Sequence, residues 1–485
     1  MLATLIQKEL KAIILSPKFP ATFAVCSLLI LLSTFMGIME YRNDMAQYET
    51  ARELTQQELR STTSWGHIKT KVYRIPEVMQ IFVSGVNYDI GRWSAIDDDQ
   101  GVELRHSAYS DDPVFAVFRF VDFAFVVQFV LTLFALLFTF NAVNGEREDG
   151  TLKLILSNSV PRAQYLLAKG IGAWLGLVVP IGIPILLSLL MLPLFGIPTD
   201  ADTWLKIASL MGISLILFSF FIVLGVLVST ITRRSNISFL MSLVVWILAV
   251  MIIPRGGVMA AGTIIRVPRE AEIKAQQDAF ERQNWHDYYN SSANLWTLDK
   301  PDDGGELTDE ELWALIARQD SARAEIEAEI NQHEVRLREE LRRRKRAQER
   351  LAFVLSRFSP VSAYQLAAMT LAETDIETKA RYEDAMSDFR SAFVSYGKKK
   401  AAETGDIGGV QIALSIDDDG NQNMQISSDR NTGELDLEGI PEFQRPSTDN
   451  AAIIGEIAVD GGIIGFLTIM AFAGAFVAFL KYDVR

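Results

Sequence analysis

The segment from Asn144 to Pro161 holds the residues best arranged to recognise another molecule. Adjacent acidic and basic side chains are followed by a glycine and a short apolar run, which indicates a small amphipathic helix. Charged side chains can pair at the rim of an interface while apolar ones are buried at its centre. The residues that we expect to contact a soluble partner are Glu146, Arg147, Glu148, Gly150, Thr151, Leu152, Leu154 and Leu156.

The sequence contains no motif for catalysis or cofactor binding. No Walker A sequence occurs, so the chain does not bind ATP through a P-loop. The four histidines lack the spacing of metal ligands, and no arrangement of nucleophile, histidine and acid can be recognised. We therefore predict no catalytic residue, cofactor or metal in this chain, and we do not expect an enzyme.

Two ionisable residues fall near the end of an apolar run. Arg119 and Asp122 are three positions apart, so they can pair on one face of a helix. Ionisable residues within membrane helices are often functional. The pair is therefore either a structural ion pair or part of a gate or polar substrate path.

Six apolar runs must position these residues. Each is close to the roughly 17–25 residues that a transmembrane helix needs. The runs are Phe19–Met39, Val114–Phe140, Leu166–Leu192, Leu205–Val228, Ile237–Ile253 and Ile463–Leu480. The mean hydropathy of +0.18 therefore averages apolar spans with sizeable polar regions. No cleavage site follows the first run, which predicts a signal anchor.

The short connections between the runs are basic, and this predicts the orientation. Six crossings place all of them on one side, which the positive-inside rule makes cytoplasmic. We therefore expect a multi-pass protein of the cell (inner) membrane with both termini in the cytoplasm. The basic residues are Lys8, Lys11 and Lys18; Arg147, Lys153, Arg162 and Lys169; Arg233 and Arg234; and Lys481 and Arg485.

Three shorter stretches complete the predicted cytoplasmic side. Residues 1–18 have apolar positions at helical spacing, and Pro17 and Pro20 are expected to break the helix just before the first span, which predicts an interfacial helix. Residues 141–165 connect the second and third spans, and residues 481–485 form a tail. In the third span, Gly170, Gly172 and Gly176 favour close helix packing.

Two long regions are expected outside the cytoplasm, residues 40–113 and 254–460. They carry most of the acidic side chains behind the net charge of −14. The only cysteine, Cys26, lies in the first span, so both regions must fold without disulfides. The fold class is thus a mainly α membrane protein with six spans, an interfacial helix and two extracytoplasmic regions, of which the second is large and mostly helical.

The second region has three local signatures. Leu312–Leu355 carries a narrow apolar stripe with polar interruptions, which predicts a helical hairpin arm or an imperfect coiled coil. Val361–Tyr396 is expected to continue as helix, and Val410–Ile416 with Met424–Ile426 predicts a β-hairpin. The basic run Arg342–Arg346 favours a solvated or lipid-headgroup-facing surface over nucleic-acid binding.

The connection after the second span resembles that of the ABC-2 type transporter permease family. The resemblance rests on the charged pair at Glu146 and Arg147, on Gly150-Thr-Leu, on Pro161-Arg162 and on Lys169 entering the third span. The end of the last span, Phe479–Asp483, and the six-span topology also look like that family. The two large insertions depart from the minimal pattern, so the chain looks like a larger, type V ABC exporter-like subunit.

That resemblance implies a permease subunit of an ATP-driven exporter. A separate ABC ATPase subunit would bind ATP and Mg, and a second permease chain, identical or related, would complete a dimer in the lipid membrane. Thr151–Leu156 would be the coupling helix, with its apolar face in a groove of the ATPase.

Two other functions fit the same pattern. In a mechanotransmission subunit, ATPase-driven motion would act on an envelope or periplasmic protein, and nothing would cross the membrane. A membrane scaffold or sensor would lack the ATPase altogether. Nothing in the sequence identifies a substrate.

Overall fold

The structure is a computed structural model that describes residues 2–65, 68–97, 102, 104, 121–157, 160–298, 309–404, 410–416, 422–428, 435, 437–446 and 450–481. It is mostly helical, as the sequence predicts. The chain divides into two compact units. The first contains the residues up to Met251 and from Ser359 onward, and the second contains Ile252–Phe358.

The described helices and strands follow one another in this order: α1 (Leu2–Ile14), α2 (Lys18–Arg60), β1 (Thr70–Tyr73), β2 (Trp93–Ile96), α3 (Phe123–Phe125), α4 (Thr132–Thr139), α5 (Asn144–Glu148), α6 (Thr151–Ser157), α7 (Arg162–Leu194), α8 (Ala201–Ile231), α9 (Ser235–Ile247), α10 (Ile253–Ile264), α11 (Glu270–Leu298), α12 (Asp309–Ser356), α13 (Pro360–Ala372), α14 (Ile376–Thr404), β3 (Val410–Ile416), β4 (Gln422–Ser428) and α15 (Asn450–Leu480). The π-helical stretches Val126–Leu131 and Leu248–Ile252 join α3 to α4 and α9 to α10.

Within the described residues, six helical stretches are long and apolar enough to cross a membrane. They are Lys18–Arg60, Phe123–Glu148, Arg162–Leu194, Ala201–Ile231, Ser235–Ile264 and Ile453–Leu480. Six membrane-spanning helices are therefore confirmed. The second begins at Phe123, and residues 114–120 of its predicted range lie outside the described residues. Several helices extend beyond the apolar runs because polar residues with helical propensity continue them, as Asn43–Arg60 does in α2.

The N-terminal helix α1 packs along α7. A side chain at Gly172 would collide with Glu9, and one at Gly176 would press against Ile13, so the glycines permit the close packing that their spacing predicts. The chain turns at residues 15–17, and Pro17 precedes the first residue of α2. Pro20 does not end a helix, because it lies in the first turn of α2, where its missing N–H has no partner to lose.

Helix α13 packs in the core of the first unit against α15 and α8. Tyr364 is fully buried there, with its hydroxyl 3.1 Å from Ser214 Oγ of α8. The Ser359 hydroxyl caps the helix start and also donates to the Ala249 carbonyl at 2.5 Å. The expected continuous helix after Val361 is therefore two helices, α13 and α14. They separate where Glu373 adopts a left-handed conformation with φ of 53°.

Two small antiparallel sheets stand outside the spans. Strands β1 and β2 pair with Thr70 opposite Ile96, and their inner face packs against Tyr382 and Phe393 of α14. Strands β3 and β4 pair with Val410 opposite Ser428, which confirms the predicted hairpin. The sequence did not predict the first sheet.

In the second unit, α11 and α12 pack as an antiparallel pair, and the start of α10 packs against the end of α12. The rings of Phe280 and His333 stack with centroids 3.8 Å apart, and the Arg323 guanidinium lies 5.9 Å from the Trp285 ring. Two polar residues that interrupt the apolar stripe of α12 thus contact aromatic residues of α11. The predicted long helix is confirmed as part of a helical pair.

Candidate functional site

The predicted partner-binding segment consists of two short helices, α5 and α6, joined at Gly150. Gly150 has a φ of +72°, a conformation that other residues rarely adopt. It allows the chain to end α5 at Glu148 and to begin α6 at Thr151 within two residues. The structure therefore explains why glycine stands at this position.

Glu146 is the centre of a partly buried charge cluster, which we call the Glu146 cluster: Lys8, Glu9, Glu146, Tyr165 and Lys169. The Glu146 carboxylate lies 2.6 Å from Lys8 Nζ, 2.9 Å from Lys169 Nζ and 2.6 Å from the Tyr165 hydroxyl. Lys169, which is 5% exposed, also pairs with Glu9 at 2.7 Å. Two cations and two carboxylates thus tie α1, α5 and α7 together.

Three further residues attach α5 to the connection between α8 and α9. Glu148 accepts hydrogen bonds from the Ser235 backbone N–H at 2.9 Å and its hydroxyl at 2.7 Å, so it caps the first turn of α9. Arg147 donates to the Thr232 carbonyl at 3.4 Å, and Asn144 donates to the Thr232 hydroxyl at 3.0 Å. The charged residues expected at an interface rim therefore make contacts within this chain.

Helix α6 has one face inward and one face outward. Leu152 is buried beside Tyr165, and Ile155 and Leu156 pack against the same cluster. Leu154 is 67% exposed, the highest value among the apolar side chains of α6. Of the predicted contact residues, Leu154 is thus the most exposed apolar side chain.

The Pro-Arg pair at the start of α7 fastens the last span. Arg162 donates to the carbonyls of Phe479 and Leu480 at 3.2 and 2.6 Å, which satisfies carbonyls at the C-terminal end of α15. The Tyr165 ring stacks on Phe479 with centroids 5.2 Å apart. The segment is therefore connected to five spans, those that contain α4, α7, α8, α9 and α15.

The sequence pointed to the segment but not to all of its partners. Lys8, Tyr165, Thr232 and Ser235 were not predicted to contact it, nor was Ser229, whose hydroxyl accepts from the Asn144 backbone N–H at 3.2 Å. One available signal was the four-residue spacing of Tyr165 and Lys169, which places both on one face of α7.

The possible pair of Arg119 and Asp122 is described for one member only, because Arg119 lies outside the described residues. Asp122 accepts from the Phe125 backbone N–H at 2.7 Å and so caps α3. Its other oxygen accepts from the Ser84 backbone N–H and hydroxyl at 2.9 and 2.7 Å. Asp122 thus joins the start of the second span to the segment around Ser84.

A second charge cluster lies near the N-terminal turns of α8. Thr232 follows the C-terminal end of the same helix. This Glu373 cluster consists of Glu77, Lys206, Glu373 and Arg445. Glu373 lies 2.5 Å from Lys206 Nζ and 3.3 Å from Arg445, and Arg445 lies 2.6 Å from Glu77. Burial raises the pKa of Glu77, while Arg445 opposes that shift. Nothing in the sequence marks these four residues as neighbours.

One family model, described as ABC-2 family transporter protein, matches residues 3–484. A search of curated proteins found no match. The matched range includes the six apolar helices and the whole Glu146 cluster. The chain is therefore a membrane protein of the ABC-2 transporter family.

Proposed function

We propose that this protein is the permease subunit of an ABC exporter and that α5 and α6 dock on a separate ATPase subunit, which binds ATP and Mg. The observation that carries the proposal is the contrast within α6. Leu154 faces outward, whereas Leu152 and the charged residues of α5 are fixed to the spans. An exposed leucine on a short, firmly attached helix suits burial in a groove of a partner.

Force applied to α6 would reach the spans through named contacts. Glu146 connects α5 to Lys169 of α7 and to Lys8 of α1. Asn144 and Glu148 connect it to the end of α8 and the start of α9. Movement of the segment would thus displace the third, fourth and fifth spans together as rigid elements.

The same proposal includes the orientation of the protein in the membrane and its assembly with a second permease chain. The α5–α6 side is cytoplasmic, since the short basic connections lie there, and the regions around residues 40–113 and 254–460 are extracytoplasmic. The protein belongs in the cell (inner) membrane and works with a second permease chain. Export, as opposed to mechanical action on an envelope protein, is the function that the family membership favours.

Co-purification with the ATPase tests the proposal. Leu154→Asp places a charge at the centre of the proposed contact, and we expect retention of the ATPase to fall at least tenfold. A substitution in a hot-spot position typically costs 2 kcal/mol or more, about thirtyfold in affinity. Leu154→Met keeps the volume and the apolar surface, so it should retain the partner. Equal retention by the two variants, with both chains correctly folded, would contradict docking through α6.

A further inference from the structure

The backbone is strained at the corner between α13 and α14, residues 373–375. Glu373 has a φ of 53°, and among the residues that the structure describes it is the one residue other than glycine with a positive φ. A residue with a Cβ rarely adopts this left-handed region, because the Cβ comes too close to the following carbonyl. Such residues persist where their surroundings hold them, and they are concentrated at switches and ligand clamps. The contacts around Glu373 must therefore hold this conformation.

Three segments that are distant in sequence hold the corner. Lys206 Nζ of α8 lies 2.5 Å from the Glu373 carboxylate, and Arg445, in the segment before α15, lies 3.3 Å from it. The carbonyl of the next residue, Thr374, accepts a hydrogen bond from the Val86 backbone N–H at 3.0 Å. Two ion pairs and one backbone hydrogen bond thus keep the corner closed.

Three buried polar atoms beside the corner lack a hydrogen-bond partner within the described part of the chain. They are Arg74 Nη1, the Thr374 hydroxyl and the Tyr382 hydroxyl. Burial is the main cause that raises the pKa of Tyr382 to about 12, and the charges of Glu77, Arg445, Arg74 and Glu373 also act on it. Arg74 and Tyr382 therefore lie close to the corner.

Water does not replace the missing partners in this arrangement. Thr374 is completely buried, and Tyr382 is 2% exposed. A Cβ added at Gly85 would collide with the Thr374 hydroxyl, so no space for water separates the two residues. A buried polar group with neither a protein partner nor water destabilises the state that buries it.

The closed corner is therefore held by opposing contributions. The left-handed backbone of Glu373 and the unpartnered polar atoms destabilise it, and both would be relieved if the corner opened to water. The pairs with Lys206 and Arg445 stabilise it, since hydrogen bonds between charged groups are stronger than those between neutral ones. An element balanced in this way is suited to switching between two arrangements.

We propose that the α13–α14 corner is a conformational latch, which is closed in this structure and opens when Glu373 separates from Lys206 and Arg445. On opening, the Glu373 backbone leaves the left-handed conformation, the hydrogen bond between Val86 and Thr374 breaks, and water reaches the buried hydroxyls. Helix α14 is then free to turn relative to α13. The latch is a property of the fold, so it goes beyond the proposed permease function and does not require docking of an ATPase.

Hydrogen exchange of the full-length protein in detergent micelles, followed by mass spectrometry, tests the latch. Peptides covering residues 82–90 and 369–378 report on the amides of Val86 and Thr374, which exchange when their hydrogen bonds open. Glu373→Gln keeps the size of the side chain but removes its charge, and we expect exchange to become at least tenfold faster. Tyr382→Phe removes an unpartnered hydroxyl, so we expect exchange to become about fivefold slower.

Two further variants repeat each half of this test with a milder change. Arg445→Gln replaces a cation whose side chain is 39% exposed, and Glu373 keeps Lys206, so exchange should become only about threefold faster. Thr374→Val exchanges a hydroxyl for a methyl group of similar size, and it should slow exchange as Tyr382→Phe does.

Two matched controls change the same groups away from the corner. Tyr396→Phe removes a hydroxyl of α14 that has a partner, the Glu438 carbonyl at 2.8 Å, so it should not slow exchange in either peptide. Lys71→Gln removes the cation of an exposed pair with Glu58 and should leave both peptides unchanged.

Two results would overturn the proposal. Unchanged exchange in both Glu373→Gln and Arg445→Gln would mean that the ion pairs do not keep the corner closed. Equal or faster exchange in both Tyr382→Phe and Thr374→Val would mean that the two hydroxyls do not oppose the closed arrangement. Neither result depends on whether an ATPase binds α6.

Discussion

The Glu146 and Glu373 clusters are built from the same charges but differ in their surroundings. Each contains two carboxylates and two cations and joins elements far apart in sequence. The Glu146 cluster lies beside α6, which presents the exposed Leu154, whereas the Glu373 cluster joins Lys206 at the start of α8 to three separate segments. Since the far end of α8 contacts Asn144 through Thr232, this helix links the two sites. Under the proposed docking of α6 on an ATPase, the first cluster would receive force and the second would hold the other end of α8.

The largest effect is expected from removing the most buried cation. Lys169→Met leaves Glu146 and Glu9 buried, with Lys8 as the nearest remaining cation. Breaking a buried pair typically costs about 3–5 kcal/mol, because the remaining charge is uncompensated. We expect the free energy of unfolding in mixed micelles, measured by titration with dodecyl sulfate, to fall by about 3 kcal/mol.

The double variant Lys169→Met with Glu146→Gln is the control for that experiment. It removes a carboxylate together with its cation, so it should recover part of the lost stability. If the double variant were as unstable as the sum of the single variants, Lys169 would stabilise the protein through packing alone, and the description of a charge cluster would be wrong.

The corresponding change in the Glu373 cluster should cost less. Lys206 is 17% exposed against 5% for Lys169, and Arg445 remains beside Glu373 when Lys206 is replaced. We expect Lys206→Met to lower the free energy of unfolding by about 1–2 kcal/mol, since a partly exposed pair is screened by solvent. The same titration measures it. A loss greater than that of Lys169→Met would reverse the ranking of the two clusters.

A local sequence pattern marks members of the Glu146 cluster but none of the Glu373 cluster, and the difference has a physical reason. Glu146 and Lys169 lie only 23 residues apart, on the two sides of one short connection, so a local pattern marks them, although Lys8 is 138 residues away from Glu146. Glu77, Lys206, Glu373 and Arg445 come from four separate segments, and only tertiary packing brings them together. The position of Glu373 depends on its left-handed turn after α13, and no periodic pattern predicts that turn.

The helices and strands that could be predicted are likewise those with a strong local pattern, and the ones that could not be predicted lack such a pattern. The six spans are long apolar runs and α12 is a long helix with an apolar stripe, so tertiary packing changes their bounds but not their type. Helix α13 has 13 residues, too few to cross a bilayer, and its pattern merges with that of α14. Strands β1 and β2 have four residues each, too few to show an alternation.

The smallest expected effect is a pH dependence that arises from Glu77 in the Glu373 cluster. Folding raises the pKa of Glu77 above the ordinary value of 4.5, chiefly through burial, with Glu373 adding to the shift and Arg445 opposing it. A carboxyl group with a raised pKa binds its proton more tightly in the folded state. Its contribution to stability is therefore complete below the unfolded pKa and is lost as the pH rises through the folded pKa.

Glu77→Gln removes this titration. The melting temperature of the unchanged protein should accordingly rise relative to that of Glu77→Gln as the pH falls from 7 towards 4.5. Glu58→Gln is the matched control, because Glu58 is a largely exposed carboxylate paired with Lys71, and its removal should produce a smaller pH-dependent difference. Parallel profiles for Glu77→Gln and the unchanged protein would mean that Glu77 keeps its ordinary charge despite burial. The two clusters would then differ only in their neighbours, and the assignment of a holding role to the Glu373 cluster would rest on Lys206 alone.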